Sequence, residues 1–84
     1  MDDRRKRLLY RSSRRGSQEA DLLLGHFARH HVPGFSNEQL DRFENLTLNP
    51  DADLLDWNSG RAPVPEDQQN DVMRLWCDFT YPAI

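Results

Sequence analysis

Apolar residues recur along this chain at the three- and four-residue spacing of helices, and no run alternates apolar and polar positions as a half-buried strand does. The clearest pattern predicts a helix from about Ser17 to His31, ended by Pro33-Gly34. Its apolar stripe consists of Ala20, Leu23, Leu24, Phe27, Ala28 and His31. Because every periodic segment has helical spacing, we expect an all-α protein.

A capping signal predicts where the third helix begins. Ser36 is expected to be the N-cap, and Gln39 completes a capping box, in which each side chain binds the other residue's backbone N–H. Phe35 is expected to pack onto the first apolar residue of the helix as a hydrophobic staple. The apolar face that follows contains Leu40, Phe43 and Leu46.

The fourth and fifth helices are predicted from their ends. The fourth is expected to have Asn49 as its N-cap, Pro50 at its first helical position and Gly60 at its end. The fifth is expected to run from about Glu66 to Phe79. Their inward-facing residues are predicted to be Leu54, Leu55, Trp57, Val72, Leu75, Trp76 and Phe79, with Met73 and Cys77 at the border.

The N-terminal segment, roughly Asp3 to Arg14, is a helix with few apolar residues, so we expect it to lie on the surface of the bundle. Gly16 is expected to adopt the left-handed conformation between this helix and the next. With 84 residues, the chain has room for one small domain. We expect a compact five-helix bundle over 1–84, divided into a basic N-terminal helix (1–15), a bundle body (16–81) and a tail (82–84) that follows from Pro82.

Charge divides the chain into a basic arm and an acidic body. Seven of the 11 Lys and Arg residues lie between Arg4 and Arg15 and only two acids precede them, so the arm carries +5. From Gly16 onward, four arginines face 12 acids, which gives the body −8. Such an arm suits nucleic acid, an anionic membrane or an acidic protein face, and a solvated helix face is an equally open interpretation.

Residues with catalytic or metal-binding chemistry are few. His26, His30 and His31 lie near one helix end without an H-E-x-x-H pattern, so no metal site is expected. Cys77 is the only cysteine, which excludes an internal disulfide and a thiolate cluster, and we expect it to be packed and inert. No Gly-rich turn follows a predicted strand, so no nucleotide-binding fingerprint is present. We expect no catalytic, cofactor-binding or metal-binding residues.

The segment that packing does not explain contains Arg15, Gly16 and Glu19, which spell R-G-x-x-E. A helix junction accounts for Gly16 and Glu19 but not for the charged residues around them. A glycine allows another backbone to approach closely, and arginine and carboxylate groups can make bidentate contacts. The residues alone leave a structural joint and a protein-contact site open, and the candidate partner-binding residues are Arg15, Gly16, Glu19, Arg11 and Asp21.

The ordered set of motifs resembles the succinate dehydrogenase assembly factor family, called SdhE in bacteria and flavinators more broadly. The resemblance covers nearly the whole chain. Besides R-G-x-x-E, it includes Leu8-Leu9-Tyr10-Arg11, Phe43-Glu44-x-Leu46, Asp53-Leu54-Leu55-x-Trp57, Pro63 and Val72-Met73. The chain departs from the family pattern at Ser17 and at Ser13-Arg14, both beside the candidate contact.

The resemblance implies an assembly factor that acts as a chaperone and not as an enzyme. It would bind the flavoprotein subunit of succinate dehydrogenase, and in some bacteria that of fumarate reductase, and promote covalent attachment of FAD to a histidine of that subunit. Arg15, Gly16 and Glu19 would form the docking surface, with Arg11 and Asp21 beside them. We expect the chain itself to bind FAD weakly or not at all.

The resemblance also implies a cytoplasmic protein in a bacterium, or one of the mitochondrial matrix in a eukaryote. We expect a monomer when free, without nucleic-acid partners and without insertion into membranes. The alternative function of a different class is an antitoxin-like or nucleic-acid-associated small regulator that uses the Arg4–Arg15 arm. Steep salt dependence of binding to DNA or RNA would favour that alternative.

Overall fold

The computed structural model describes residues 2–80, which form five α-helices and two short 3-10 turns. The helices are α1 (Asp3–Ser12), α2 (Gln18–His31), α3 (Asn37–Thr47), α4 (Asp51–Ser59) and α5 (Asp71–Asp78), and the 3-10 turns are Val32–Gly34 and Glu66–Gln68. Residues 2–80 contain no strand, so the predicted all-α bundle of five short helices is confirmed. The predicted tail, 82–84 with Pro82, lies outside the described residues.

Serine side chains cap α2 and α3. Ser17 accepts a hydrogen bond from the N–H of Ala20 at 3.3 Å. Ser36 accepts from the N–H of Gln39 at 3.2 Å, and the Gln39 side chain accepts from the N–H of Ser36 at 3.0 Å. The capping box is therefore confirmed. Helix α2 begins one residue after its predicted start at Ser17.

The predicted start of α4 is wrong by one residue. Pro50, and not Asn49, occupies the N-cap position, and α4 begins at Asp51 without a side-chain cap. The Asn49 amide donates instead to the carbonyl of Leu46 at 3.0 Å and to Oε1 of Gln68 at 2.7 Å. The side chain thus ties the α3–α4 turn to the second 3-10 turn, a distant contact that local capping preference does not reveal.

The predicted fifth helix begins too early. Glu66–Gln68 is a separate 3-10 turn, and Asn70 caps α5 by accepting from the N–H of Met73 at 2.8 Å. The buried face also shifts, because Met73 is 3% exposed whereas Leu75 and Phe79 are only partly buried. The start was misplaced because 66–71 is uniformly polar and offers no apolar period to mark the break.

A single apolar core joins all five helices, and Phe27 of α2 is fully buried within it. Its ring meets Trp76 edge-to-face at 5.4 Å between centroids and stacks on Phe43 at 5.8 Å. The Trp76 indole N–H donates to the carbonyl of Leu54 at 2.9 Å, so burial leaves it satisfied. This core fixes α2, α4 and α5 relative to one another and supports the surface described below.

Helix α1 covers one side of the bundle, with Leu8 and Ser12 buried and Tyr10 61% exposed. Ionic contacts complete its attachment. The Arg4 guanidinium contacts the carboxylates of Asp41 and Glu44 on α3. The guanidinium of Arg5, the next residue, donates to the carbonyls of Val32 and Phe35. Part of the basic arm is therefore used to hold α1 in place.

Candidate functional site

The R-G-x-x-E segment forms the connection between α1 and α2 together with the first turn of α2. Gly16 has φ +99°, so its predicted left-handed conformation is confirmed. A Cβ atom at Gly25 of α2 would lie 3.2 Å from Cβ of Ser13. Glycine at that position therefore lets the end of α1 approach α2 closely, and this sets where the connection begins.

The carboxylate of Asp21 holds the backbone of this connection. One oxygen, Oδ1, accepts from the N–H of Arg15 and from the N–H of Gly16, the latter at 3.2 Å. Both N–H groups lie outside any helix, so no helical carbonyl accepts a hydrogen bond from them. The sequence suggested Asp21 as a partner-binding residue. In the structure, its two hydrogen bonds stabilise the backbone conformation of the motif.

The side chain of Arg15 is anchored within the chain. Its Nε donates to Oδ1 of Asp51 at 2.8 Å, and its two terminal nitrogens donate to the carbonyls of Thr47 and Asn49, the second at 2.7 Å. Only 16% of the side chain is exposed. Helix ends leave carbonyls without helical partners, and the α3–α4 turn offers two of them to one guanidinium.

This anchoring leaves little of the Arg15 side chain exposed, whereas the sequence suggested a guanidinium free for bidentate contacts with another protein. Its partners lie 32 to 36 residues away in the sequence, so no local signal could have revealed them. In the free chain, Arg15 joins the motif to the α3–α4 turn.

Three candidate residues remain accessible, Arg11, Gly16 and Glu19. Arg11 lies in a cleft beside Glu44 of α3, and we call Gly16 and Glu19 the exposed edge. A Cβ atom at Gly16 would have no atom within 4 Å. Neither Arg11 nor Glu19 forms an ion pair with any other residue between 2 and 80. Arg14 stacks its guanidinium over the Tyr10 ring at 4.4 Å. The candidate residues around the motif thus divide into an internal support, Arg15 and Asp21, and the exposed edge.

Beside Glu19 lies an open groove of about 620 Å³ between the start of α2 and the ends of α4 and α5. Leu22, which is 46% exposed, forms part of its apolar wall. Sequence reasoning missed this groove because three distant segments build it and Leu22 lies off the predicted apolar stripe. The groove is lined by Glu19, Leu22, Leu23, Asn58, Ser59, Cys77, Phe79 and Thr80.

Asn58 and Cys77 are the groove residues whose chemistry is most constrained. The Asn58 amide nitrogen donates to the carbonyls of Trp76 at 2.7 Å and Phe79 at 2.8 Å, which ties the end of α5 to α4. Burial, assisted by the negative charge of Asp78, raises the pKa of the Cys77 thiol. The thiol is therefore mostly protonated near neutral pH, as expected of an unreactive cysteine.

The structure gives little support to the other candidate sites, the basic arm and the histidines. Arg4, Arg5 and Arg15 of the basic arm are engaged by carboxylates and carbonyls, which lowers the field that the arm offers to nucleic acid. His31 stacks on Phe35 at 5.9 Å, and burial lowers the pKa of His31, with a smaller effect from His30.

Within residues 2–80, no group of three or more His, Cys, Asp or Glu residues could hold a metal ion. No helix in that range has the length and apolar character needed to cross a membrane.

Comparison of the sequence with known proteins identifies a family and several relatives to which this chain is similar. Residues 6–80 match the family described as flavinator of succinate dehydrogenase. The chain is 41% identical over 73 residues to succinate dehydrogenase assembly factor 2, mitochondrial, of Debaryomyces hansenii, which covers 83% of this chain and 51% of the relative. It is 38% identical over 71 residues to the FAD assembly factor SdhE of Acetobacter pasteurianus, which covers 84% of this chain and 65% of the relative.

A third relative is succinate dehydrogenase assembly factor 2, mitochondrial, of Dictyostelium discoideum, at 41% identity over 71 residues. That match covers 84% of this chain and 50% of the relative. The chain therefore spans between about half and two thirds of the length of these three relatives. The matched part includes α1 to α5 with the whole R-G-x-x-E segment, apart from the first three residues of α1.

Proposed function

Because this chain belongs to the succinate dehydrogenase flavinator family, we propose that it binds the flavoprotein subunit of succinate dehydrogenase and promotes covalent attachment of FAD to it. The observation that carries this proposal is the match over residues 6–80, within which the R-G-x-x-E motif presents an exposed edge on a fixed support. An assembly factor of this kind acts as a chaperone on its partner, and the covalent bond forms within the partner.

The exposed edge is suited to docking because its backbone conformation is set before a partner arrives. Asp21 holds the N–H groups of Arg15 and Gly16, and Arg15 is anchored to the α3–α4 turn. A preorganised loop loses less conformational entropy on binding than a flexible one. Gly16 then allows the partner's backbone to come close, and the carboxylate of Glu19, which has no ion pair with residues 2–80, can accept charge-assisted hydrogen bonds.

The proposed contribution to flavin attachment is alignment of the partner's own groups. A chaperone that stabilises the flavoprotein conformation in which the flavin and its acceptor histidine are close lowers the barrier of the attachment step. Correct positioning of two reacting groups can be worth about 7 to 11 kcal/mol at most. We propose that the chain achieves this without binding FAD tightly itself, in the bacterial cytoplasm or, for a eukaryotic source, the mitochondrial matrix.

The test of this function is reconstitution from purified components. The flavoprotein subunit without flavin is incubated with FAD in the presence or absence of the chain, and covalent flavin is read as fluorescence that persists after denaturing electrophoresis. We expect the chain to raise the rate or the yield of covalent flavin, and to form a complex with the subunit. Equal covalent flavin in both reactions, together with no complex, would reject the proposal.

A parallel titration of the isolated chain with FAD separates a chaperone from a flavin carrier. We expect no binding tighter than about 1 μM, which corresponds to roughly −8 kcal/mol. Tighter binding by the chain alone would assign it the carrier role, in which it delivers the flavin and does not act on the partner's conformation.

A further inference from the structure

We propose that the groove beside Glu19 seats an apolar side chain of the partner flavoprotein, and that a lysine or arginine next to that side chain pairs with Glu19. This inference rests on the proposed function, because the occupant is a segment of the partner named there. It extends the docking surface from the exposed edge into a site that the R-G-x-x-E motif does not include.

The groove has the size and lining of a seat for an apolar anchor. Its volume of about 620 Å³ lies within the range of small-ligand pockets, so it has room for an apolar side chain together with its neighbours. Leu22, Leu23 and Phe79 supply apolar surface, and Leu22 remains 46% exposed although it is a large aliphatic residue. Interfaces concentrate their binding energy where such an apolar seat is filled and water is excluded.

The charges at the rim select the chemistry of the partner segment. Glu19 offers a carboxylate without an ion pair among residues 2–80, and no lysine or arginine lines the groove within that range, although Arg61 donates to Oγ of Ser59 at the groove edge at 3.1 Å. The Asn58 amide nitrogen is engaged by the carbonyls of Trp76 and Phe79, so Oδ1 is the Asn58 atom left to face a ligand, and it is an acceptor. The carboxylate of Glu19 and the amide oxygen of Asn58 favour a cationic donor over phosphate or another anion.

The groove is continuous with the exposed edge. Glu19 belongs to both, and Leu22 lies three residues further along α2, which places the two side chains on one helix face. A partner segment that passes over Gly16 and pairs with Glu19 would therefore meet the groove directly. Two other occupants are conceivable, a second copy of this chain and the residues after Thr80, and the experiment distinguishes them from the partner.

Cys77, the only cysteine of the chain, lines the groove and serves as its native reporter. Alkylation of Cys77 is followed by mass spectrometry of the intact chain at about pH 8.5, because the raised pKa of the thiol slows the reaction at neutral pH. We expect saturating flavoprotein subunit to slow alkylation at least tenfold. An unchanged rate in a complex shown by gel filtration to have formed would overturn the inference.

The free chain provides the other arms of the same assay. We expect its alkylation rate to be independent of its own concentration and unaffected by removal of residues 81–84. A rate that falls with concentration would assign the groove to a second copy. A rate that rises after removal of 81–84 would assign it to the chain's own end. Either result overturns the proposed occupant.

A matched pair of leucine substitutions tests the groove without relying on the thiol. Leu22→Ala removes an exposed groove residue, and Leu48→Ala removes one that is 78% exposed and does not line the groove. We expect Leu22→Ala to weaken the complex about tenfold and Leu48→Ala to leave its Kd unchanged, with both variants as helical as the parent. Equal Kd values for the two variants would contradict the inference while leaving the proposed function intact. Absence of any complex with the parent chain would reject both.

Discussion

Replacing Arg15 with alanine is expected to lower the free energy of unfolding by about 3 kcal/mol, because it removes three partly buried hydrogen bonds worth about 1 kcal/mol each. The change removes the donors from the Asp51 carboxylate and from the carbonyls of Thr47 and Asn49, all in a site where 16% of the arginine is exposed. For a domain of this size, the melting temperature should fall by about 12 °C or more in a thermal denaturation followed by circular dichroism.

Arg42→Ala is the control for this loss. The Arg42 side chain is 41% exposed and its guanidinium contacts Asp71 at 3.1 Å and Glu38 at 3.9 Å, so its removal should cost less than about 1 kcal/mol. The contrary result is an Arg15→Ala variant that melts at the same temperature as the parent chain and yet fails to bind the flavoprotein subunit. That result would show that Arg15 contacts the partner directly and that its internal hydrogen bonds do not stabilise the fold.

Gly16→Arg is expected to reduce complex formation and covalent flavin at least tenfold while the chain remains helical. In the free chain the new side chain has room, because no atom lies within 4 Å of the Cβ position. The left-handed backbone at φ +99° adds about 1–2 kcal/mol of strain for any residue other than glycine. The larger loss comes from filling the space through which the partner approaches, and it is measured as fluorescence of the denatured flavoprotein.

Two alanine variants separate this steric effect from strain. Gly16→Ala carries the strain with a minimal side chain, and it should lose less binding than Gly16→Arg. Gly60 is also left-handed, at φ +81°, and also has no atom within 4 Å of its Cβ position. Gly60→Ala should therefore lower the stability about as much as Gly16→Ala does, while the amount of covalent flavin stays that of the parent chain. Similar losses of covalent flavin in Gly60→Ala and Gly16→Arg would show that lowered stability explains both.

Local signals in the sequence predicted much of the fold. Ser36 and Gln39 form their capping box from residues three positions apart, and Gly60 ends α4 through its own left-handed conformation. The errors occurred where a distant contact overrides local preference. Asn49 bonds to Gln68 and leaves the N-cap position to Pro50, and a uniformly polar run conceals Asn70 as the cap of α5.

The candidate site was predictable only in its exposed part. Gly16 and Glu19 could be placed at a junction and in a first helical turn from their immediate neighbours. The anchoring of Arg15 depends on how α3 and α4 pack against the motif, and the groove depends on where α5 ends. Residue spacing does not predict the anchoring or the groove, because each joins segments that only the tertiary structure brings together.

The most direct test of docking at the exposed edge compares Glu19→Ala with Glu38→Ala. Both glutamates are exposed and occupy the second helical position after a serine N-cap, so each substitution removes the same helix-dipole contact, worth at most about 1 kcal/mol. Glu38→Ala also removes an exposed ion pair with Arg42 at 3.9 Å, which contributes about 0.5 kcal/mol or less.

The two variants should therefore melt at similar temperatures and differ in partner binding alone. We expect Glu19→Ala to weaken the complex with the flavoprotein subunit by about 30-fold, as a loss of roughly 2 kcal/mol at an interface hot spot implies, and to lower covalent flavin with it. Glu38→Ala should match the parent chain in both. Equal Kd values for the two variants, or a loss in Glu19→Ala that only follows its melting temperature, would contradict a docking surface at Glu19.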